Sequence, residues 1–95
     1  MLHIRQGDLF EFTLMLSNID FSLISKVEFI SAKLNLQEIA ELDGDIYRVR
    51  IEGARTRSFP LGFAKYFIVV TLIDGEELTP ICDKVEVLAR VVKNE

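Results

Sequence analysis

The stretch from Phe59 to Ile81 restricts this chain more than any other. Phe59-Pro60-Leu61-Gly62 breaks whatever precedes it, an apolar run follows from Phe63 to Asp74, and Gly75-Glu76-Glu77 turns into Leu78-Thr79-Pro80-Ile81. Within the run, Tyr66, Phe67, Ile68, Val69, Val70, Thr71 and Leu72 form an aromatic and β-branched stretch that suits a pleated buried surface better than a helix. The reading is a central strand of an all-β domain, entered through Pro60 and Gly62 and left through Asp74-Gly75. Pro80 lacks a backbone donor, so Thr79-Pro80 is expected at a strand start, an edge or a bulge.

The remaining segments repeat this pattern on a smaller scale. Leu2-His3-Ile4-Arg5 reads as a short edge strand, and Gln6-Gly7-Asp8 as a turn. From Leu9 to Leu16 the set Phe10, Phe12, Leu14 and Leu16 alternates with Leu9, Glu11, Thr13 and Met15, which assigns the first set to the core. Ile19, Phe21 and Leu23 interrupt a turn-rich segment and are expected to plug the end of the core, with a 3-10 turn after Asp20. Lys26 to Leu34 alternates with a swap of faces near its middle, predicting a bulge or a change of sheet there.

Two readings compete over Asn35 to Leu42. Asn35 with Glu38 resembles a capping box, and Leu36, Ile39 and Ala40 have helical spacing. The segment nevertheless runs into Asp43-Gly44-Asp45, a hairpin signal, and then into Ile46 to Glu52, where Tyr47, Val49 and Ile51 alternate with polar residues. Two strands joined by that turn are favoured, with Arg48 and Arg50 facing outward opposite Glu38 and Glu41. Gly53 to Phe59 reads as a loop. Leu78 to Val92 supplies the last strand or two, with Val85, Val87, Ala89 and Val91 on one face. Short strands separated by turns roughly every 10 residues predict one domain over residues 1–95, an antiparallel β-sandwich of about seven strands with room for one short helical turn.

Composition narrows the partners. A net charge of -4 disfavours binding to a phosphate backbone, so no nucleic-acid partner is expected. No apolar run approaches the roughly 18 residues of a membrane helix, and Met1 to Asp8 lacks the pattern of a secretion signal, so neither a membrane nor a signal peptide is expected. Cys82, the single cysteine, cannot form an intrachain disulfide. Apolar residues on both faces of several strands predict protein partners or self-association.

Few residues carry chemistry. His3 is the sole histidine and is read as solvated, with no partner for a dyad or a metal. Cys82 has no cation closer in sequence than Lys84 to lower its pKa, which points to core or edge packing. Asp43-Gly44-Asp45 lacks the other oxygen ligands of a calcium loop. Arg55 and Arg57, with Lys65, could clamp an anion or an acidic patch, against the plainer reading of an exposed charged loop. No catalytic, cofactor-binding or metal residue is assigned, and an enzyme is not expected.

One resemblance supplies a functional lead. Ile4-Arg5-Gln6-Gly7-Asp8 leading into Phe10-Glu11-Phe12-Thr13-Leu14, then Asp20, Val27-Glu28-Phe29, Gly62 to Tyr66, and Asp74-Gly75 resemble the immunoglobulin-like domains of bacteriophage and prophage tail proteins, notably the N-terminal domain of baseplate upper proteins. The resemblance implies an immunoglobulin-like sandwich that serves as a non-enzymatic assembly module, present in the host cytoplasm before assembly and in the virion afterwards. The alternative is a binding domain of a bacterial surface or secreted protein, with carbohydrate as one candidate ligand, for which Tyr47 and Phe67 are the candidate aromatic shelf.

Overall fold

A computed structural model describes residues 1–91. In chain order the strands are β1 (Leu2–Arg5), β2 (Phe10–Leu14), β3 (Ile24–Ser31), β4 (Leu36–Ile39), β5 (Glu41–Asp43), β6 (Ile46–Ile51), β7 (Gly62–Leu72) and β8 (Glu77–Leu88). A 3-10 turn at Phe21–Leu23 precedes β3, and one α-helical turn, α1 (Gly53–Thr56), follows β6. They form two layers, a five-stranded sheet ordered β1-β8-β7-β3-β4 and a three-stranded sheet ordered β2-β6-β5.

The expected central strand is β7, hydrogen-bonded to β3 on one side and β8 on the other. Its alternation is clean: Ala64, Tyr66, Ile68 and Val70 are buried, while Lys65 is exposed. Across the core they meet Tyr47, Val49 and Ile51 of β6 and Phe10 and Leu14 of β2, all buried. Four rings organise this contact. Phe29 stacks on Tyr66 with centroids 5.0 Å apart, and Phe10 and Phe12 meet Phe29 edge-on at 6.1 and 5.7 Å, arrangements that ring quadrupoles favour.

From Leu36 to Leu42 the segment is extended, as favoured, but as two strands in different sheets. β4 pairs with β3, whereas β5 pairs with β6. Between them the Ala40 N–H donates to the Val27 carbonyl at 2.8 Å, and this buried small residue carries the chain across. The crossing yields eight strands where about seven were expected. It also corrects the ion pairs. Arg48 does face Glu41 in register, but its guanidinium lies 3.3 Å from Asp43 and 3.8 Å from Glu11, and Arg50 reaches Glu11 at 3.9 Å. Glu38 pairs with Arg55 on α1 instead.

Several local expectations are corrected by where the chain turns. The β3 irregularity falls between Ile24 and Lys26, not mid-strand. The later swap of faces arises because β3 ends at Ser31 and reverses through Ala32–Asn35, burying Leu34 from the turn, with Asn35 at φ 53°. The 3-10 turn forms after Asp20, whose side chain accepts from the Ser22 N–H. Of the three residues expected to plug the core end, Ile19 is partly buried against the core, whereas Phe21, with its ring beside Tyr47, and Leu23 are 37% and 47% exposed. Ala89 and Val91 are exposed beyond the end of β8, and Val92 lies outside the described residues.

The sandwich is not wholly antiparallel, because β1 runs parallel to β8, with Leu2 opposite Val85 and Arg5 opposite Leu88. The Gln6-Gly7-Asp8 turn then carries the chain from one sheet to the other, using Gly7 at φ 85°. The predicted Gly53–Phe59 loop contains α1 because it clamps this turn. The fully buried Thr56 hydroxyl accepts from the Gly7 N–H at 3.1 Å and donates to the Asp8 carbonyl at 2.8 Å. Gln6 Nε2 donates to the Phe59 carbonyl at 2.6 Å. A Cβ on Gly53 would drive into the Gly7 carbonyl oxygen, so glycine is required there by close backbone approach.

Candidate functional surface

The candidate residues named from sequence do not converge. His3 Nε2 lies 3.5 Å from Glu86 on the outer face of the five-stranded sheet. Asp43-Gly44-Asp45 forms the β5–β6 hairpin with Gly44 at φ 65°. Among the described residues no group of three or more His, Cys, Asp and Glu side chains is placed to hold a metal ion. Arg55 is engaged by Glu38, whereas Lys65 sits on β7 opposite Lys84. Arg55 and Lys33 border a shallow depression of about 420 Å³ between α1 and the β3–β4 turn. Lys33 Nζ donates to the Phe63 carbonyl at 2.6 Å, so both cations beside it already have partners.

Tyr47 is buried at 5% exposure, and burial pushes its phenol above the usual tyrosine range. It belongs to the core cluster, with its ring 5.9 Å from Phe21, and Phe67 is half-buried on the outer face of β7. The two do not form a shelf. The exposed aromatic rings are Phe63, at 52%, and Phe21.

The feature that sequence reasoning missed is one half of β8. β1 pairs only with Val85–Leu88, so Glu77 to Lys84 has β7 on one side and no described strand on the other. Every residue in this half is exposed except the half-buried Ile81. Val70 pairs with Leu78 and Ile68 with Ile81, which leaves Thr79 and Pro80 together opposite Val69. Pro80 therefore sits in a bulge on an edge, as its missing donor required. Cys82, read as core or edge packing, lies on this edge and is exposed, its side chain on the outer face with Phe67.

On the inner side of the same half-strand lies a largely apolar groove of about 230 Å³, bordered by Leu14, Leu16, Ile19, Pro80 and Ile81. A second depression of about 300 Å³ continues it past Met15 to Phe21. Met15 is 62% and Leu78 41% exposed. Tyr66 is packed behind this edge, and its phenol is held above the usual range first by burial and then by the Asp83 carboxylate. The signal for the edge was present in Thr79-Pro80. The missing information was where β1 begins on β8, which no local pattern encodes.

No protein-family model matches the sequence, and no curated protein matches it significantly. Among solved structures, the chain is similar to a fibronectin(III)-like module of Clostridium thermocellum CbhA, with 20% identity and a TM-score of 0.65 over 97% of this chain and 89% of that one. It also aligns with 17% of a putative glycoside hydrolase from Bacteroides vulgatus at 12% identity, where a TM-score of 0.48 supports no conclusion. The first likeness establishes the fold, an immunoglobulin-like β-sandwich.

Proposed function

We propose that the domain is a non-catalytic module of a bacterial surface or secreted protein and acts through contacts with other proteins. The observation that carries this reading is the correspondence with a fibronectin(III)-like module along nearly the whole chain. An exposed strand edge beside an apolar groove supports it, since edges of this kind recognise extended backbone.

The tail and baseplate reading rests on the short motifs from Ile4 to Gly75 and gains nothing from the fold likeness. Carbohydrate selectivity likewise gains nothing, because Tyr47 is buried. Fractionation of the native host tests the proposal. Antibody detection of the chain in envelope or culture-medium fractions is the expected result. Recovery in purified tail particles after prophage induction, with none at the surface, would overturn it in favour of the virion.

A further inference from the structure

We infer that the free half of β8 pairs antiparallel with the same stretch of a second copy, Glu77 opposite Lys84, joining the two five-stranded sheets into one. This goes beyond the module reading and does not depend on where the protein resides. Three observations select that partner and that register.

The first is charge. Glu77 and Lys84 stand at opposite ends of the free edge, and among the described residues neither takes part in an ion pair. Lys84 moreover faces Lys65 across the ladder, a like-charge pair, and among the described residues Lys65 takes part in no ion pair either. A two-fold axis between Pro80 and Ile81 brings Glu77 of each copy beside Lys84 of the other.

The second is length. The free edge starts at Glu77, just after the Asp74-Gly75-Glu76 turn, and stops at Lys84, where Leu2 takes over beside Val85. The register that matches the charges is the one centred on this interval. Each copy's turn then abuts the start of the other's β1.

The third is the bulge. The Leu72 N–H donates to the Glu76 carbonyl at 2.8 Å, and ladder alternation from that pair turns the backbone groups of Glu77 and Thr79 outward. Past the bulge the outward residues are Cys82 and Lys84, and the Lys84 N–H is capped at 2.8 Å by its neighbour Asp83 Oδ1. In the charge-matched register the outward residues meet each other, Glu77 with Lys84 and Thr79 with Cys82, and Pro80 falls opposite Ile81, where no donor is required. Prolines and bulges ordinarily blunt sheet edges against indiscriminate pairing. Here they exclude other registers and leave this one.

The test is sedimentation velocity on the full chain over a concentration series, with charge-reversal variants whose folding is checked by thermal melting. The wild type is expected to dimerise with a Kd on the order of 10–100 µM, as befits a small edge contact. K84E and E77K should each weaken the dimer about tenfold, and E77K/K84E should restore it. As an independent reading of register, T79C should cross-link to Cys82 of the second copy on mild oxidation. The wild type should not, because its two Cys82 residues lie three positions apart, about 10 Å. A wild type monomeric to about 1 mM, single reversals without effect, a double reversal that fails to restore the dimer, or T79C that stays uncross-linked would each overturn the inference.

Discussion

The two halves of β8 share a strand and a neighbour, β7, yet differ in everything set by the second neighbour. From Val85 to Leu88 the strand lies between β1 and β7, and Val85 and Val87 are 0% and 2% exposed. From Glu77 to Lys84 it has β7 alone, carries a bulge with a proline, and stays at the surface. The side chains follow this division in part: Val85 and Val87 turn the paired half into the core, whereas the other half sets Glu77, Thr79, Pro80, Asp83 and Lys84 among Leu78, Ile81 and Cys82. The difference teaches that burial along one strand is decided by where its neighbour begins.

The largest expected effect breaks the paired half. Ile4→Ala removes a side chain 1% exposed that faces the core from β1, and should cost about 2–5 kcal/mol in urea unfolding. Thr56→Val should cost about 1–3 kcal/mol, since it strands the Gly7 N–H and the Asp8 carbonyl and loosens the turn that places β1 on β8. If Thr56→Val unfolds no more easily than wild type, α1 does not clamp that turn.

A pH titration sharpens the comparison from behind the free half. Tyr66 in the fold holds its proton above the ordinary tyrosine value of 10.0, through burial and the Asp83 charge. A raised acid pKa means that the unfolded chain loses the proton first. Stability is therefore full below about pH 10 and falls as pH rises through the folded value. Chemical denaturation midpoints should decline above that pH, less steeply in Tyr66→Phe. An equal decline in both would remove Tyr66 from the account.

Smaller effects belong to the exposed side. Thr71 Oγ1 is buried without a hydrogen-bond partner, so Thr71→Val should be neutral or raise stability by up to about 1 kcal/mol in the same unfolding assay.

Much of the fold was legible because period-two alternation is a local signal: β2, β6 and β7 read directly from Phe10 and Leu14, Tyr47 to Ile51, and Ala64 to Val70. Turns read well for the same reason, since Gly44 and Gly75 adopt positive φ where the hairpins require it. What the sequence hid is long-range. The parallel pairing of β1 with β8 joins residues at opposite ends of the chain, and Glu38 finds Arg55 only because Ala40 moves the chain between sheets. The free edge is a by-product of that pairing. Pro80 announced an unusual strand position, and only the placement of Leu2 beside Val85 shows how much of β8 is left open.

Residue-resolved amide hydrogen exchange along β8, on dilute protein, tests the division of this strand most directly. Val85 and Val87 are expected among the slowest amides of the domain, and Thr79 and Cys82 among the faster ones, their N–H groups facing water. Uniform protection from Glu77 to Leu88 in the dilute monomer would contradict the account.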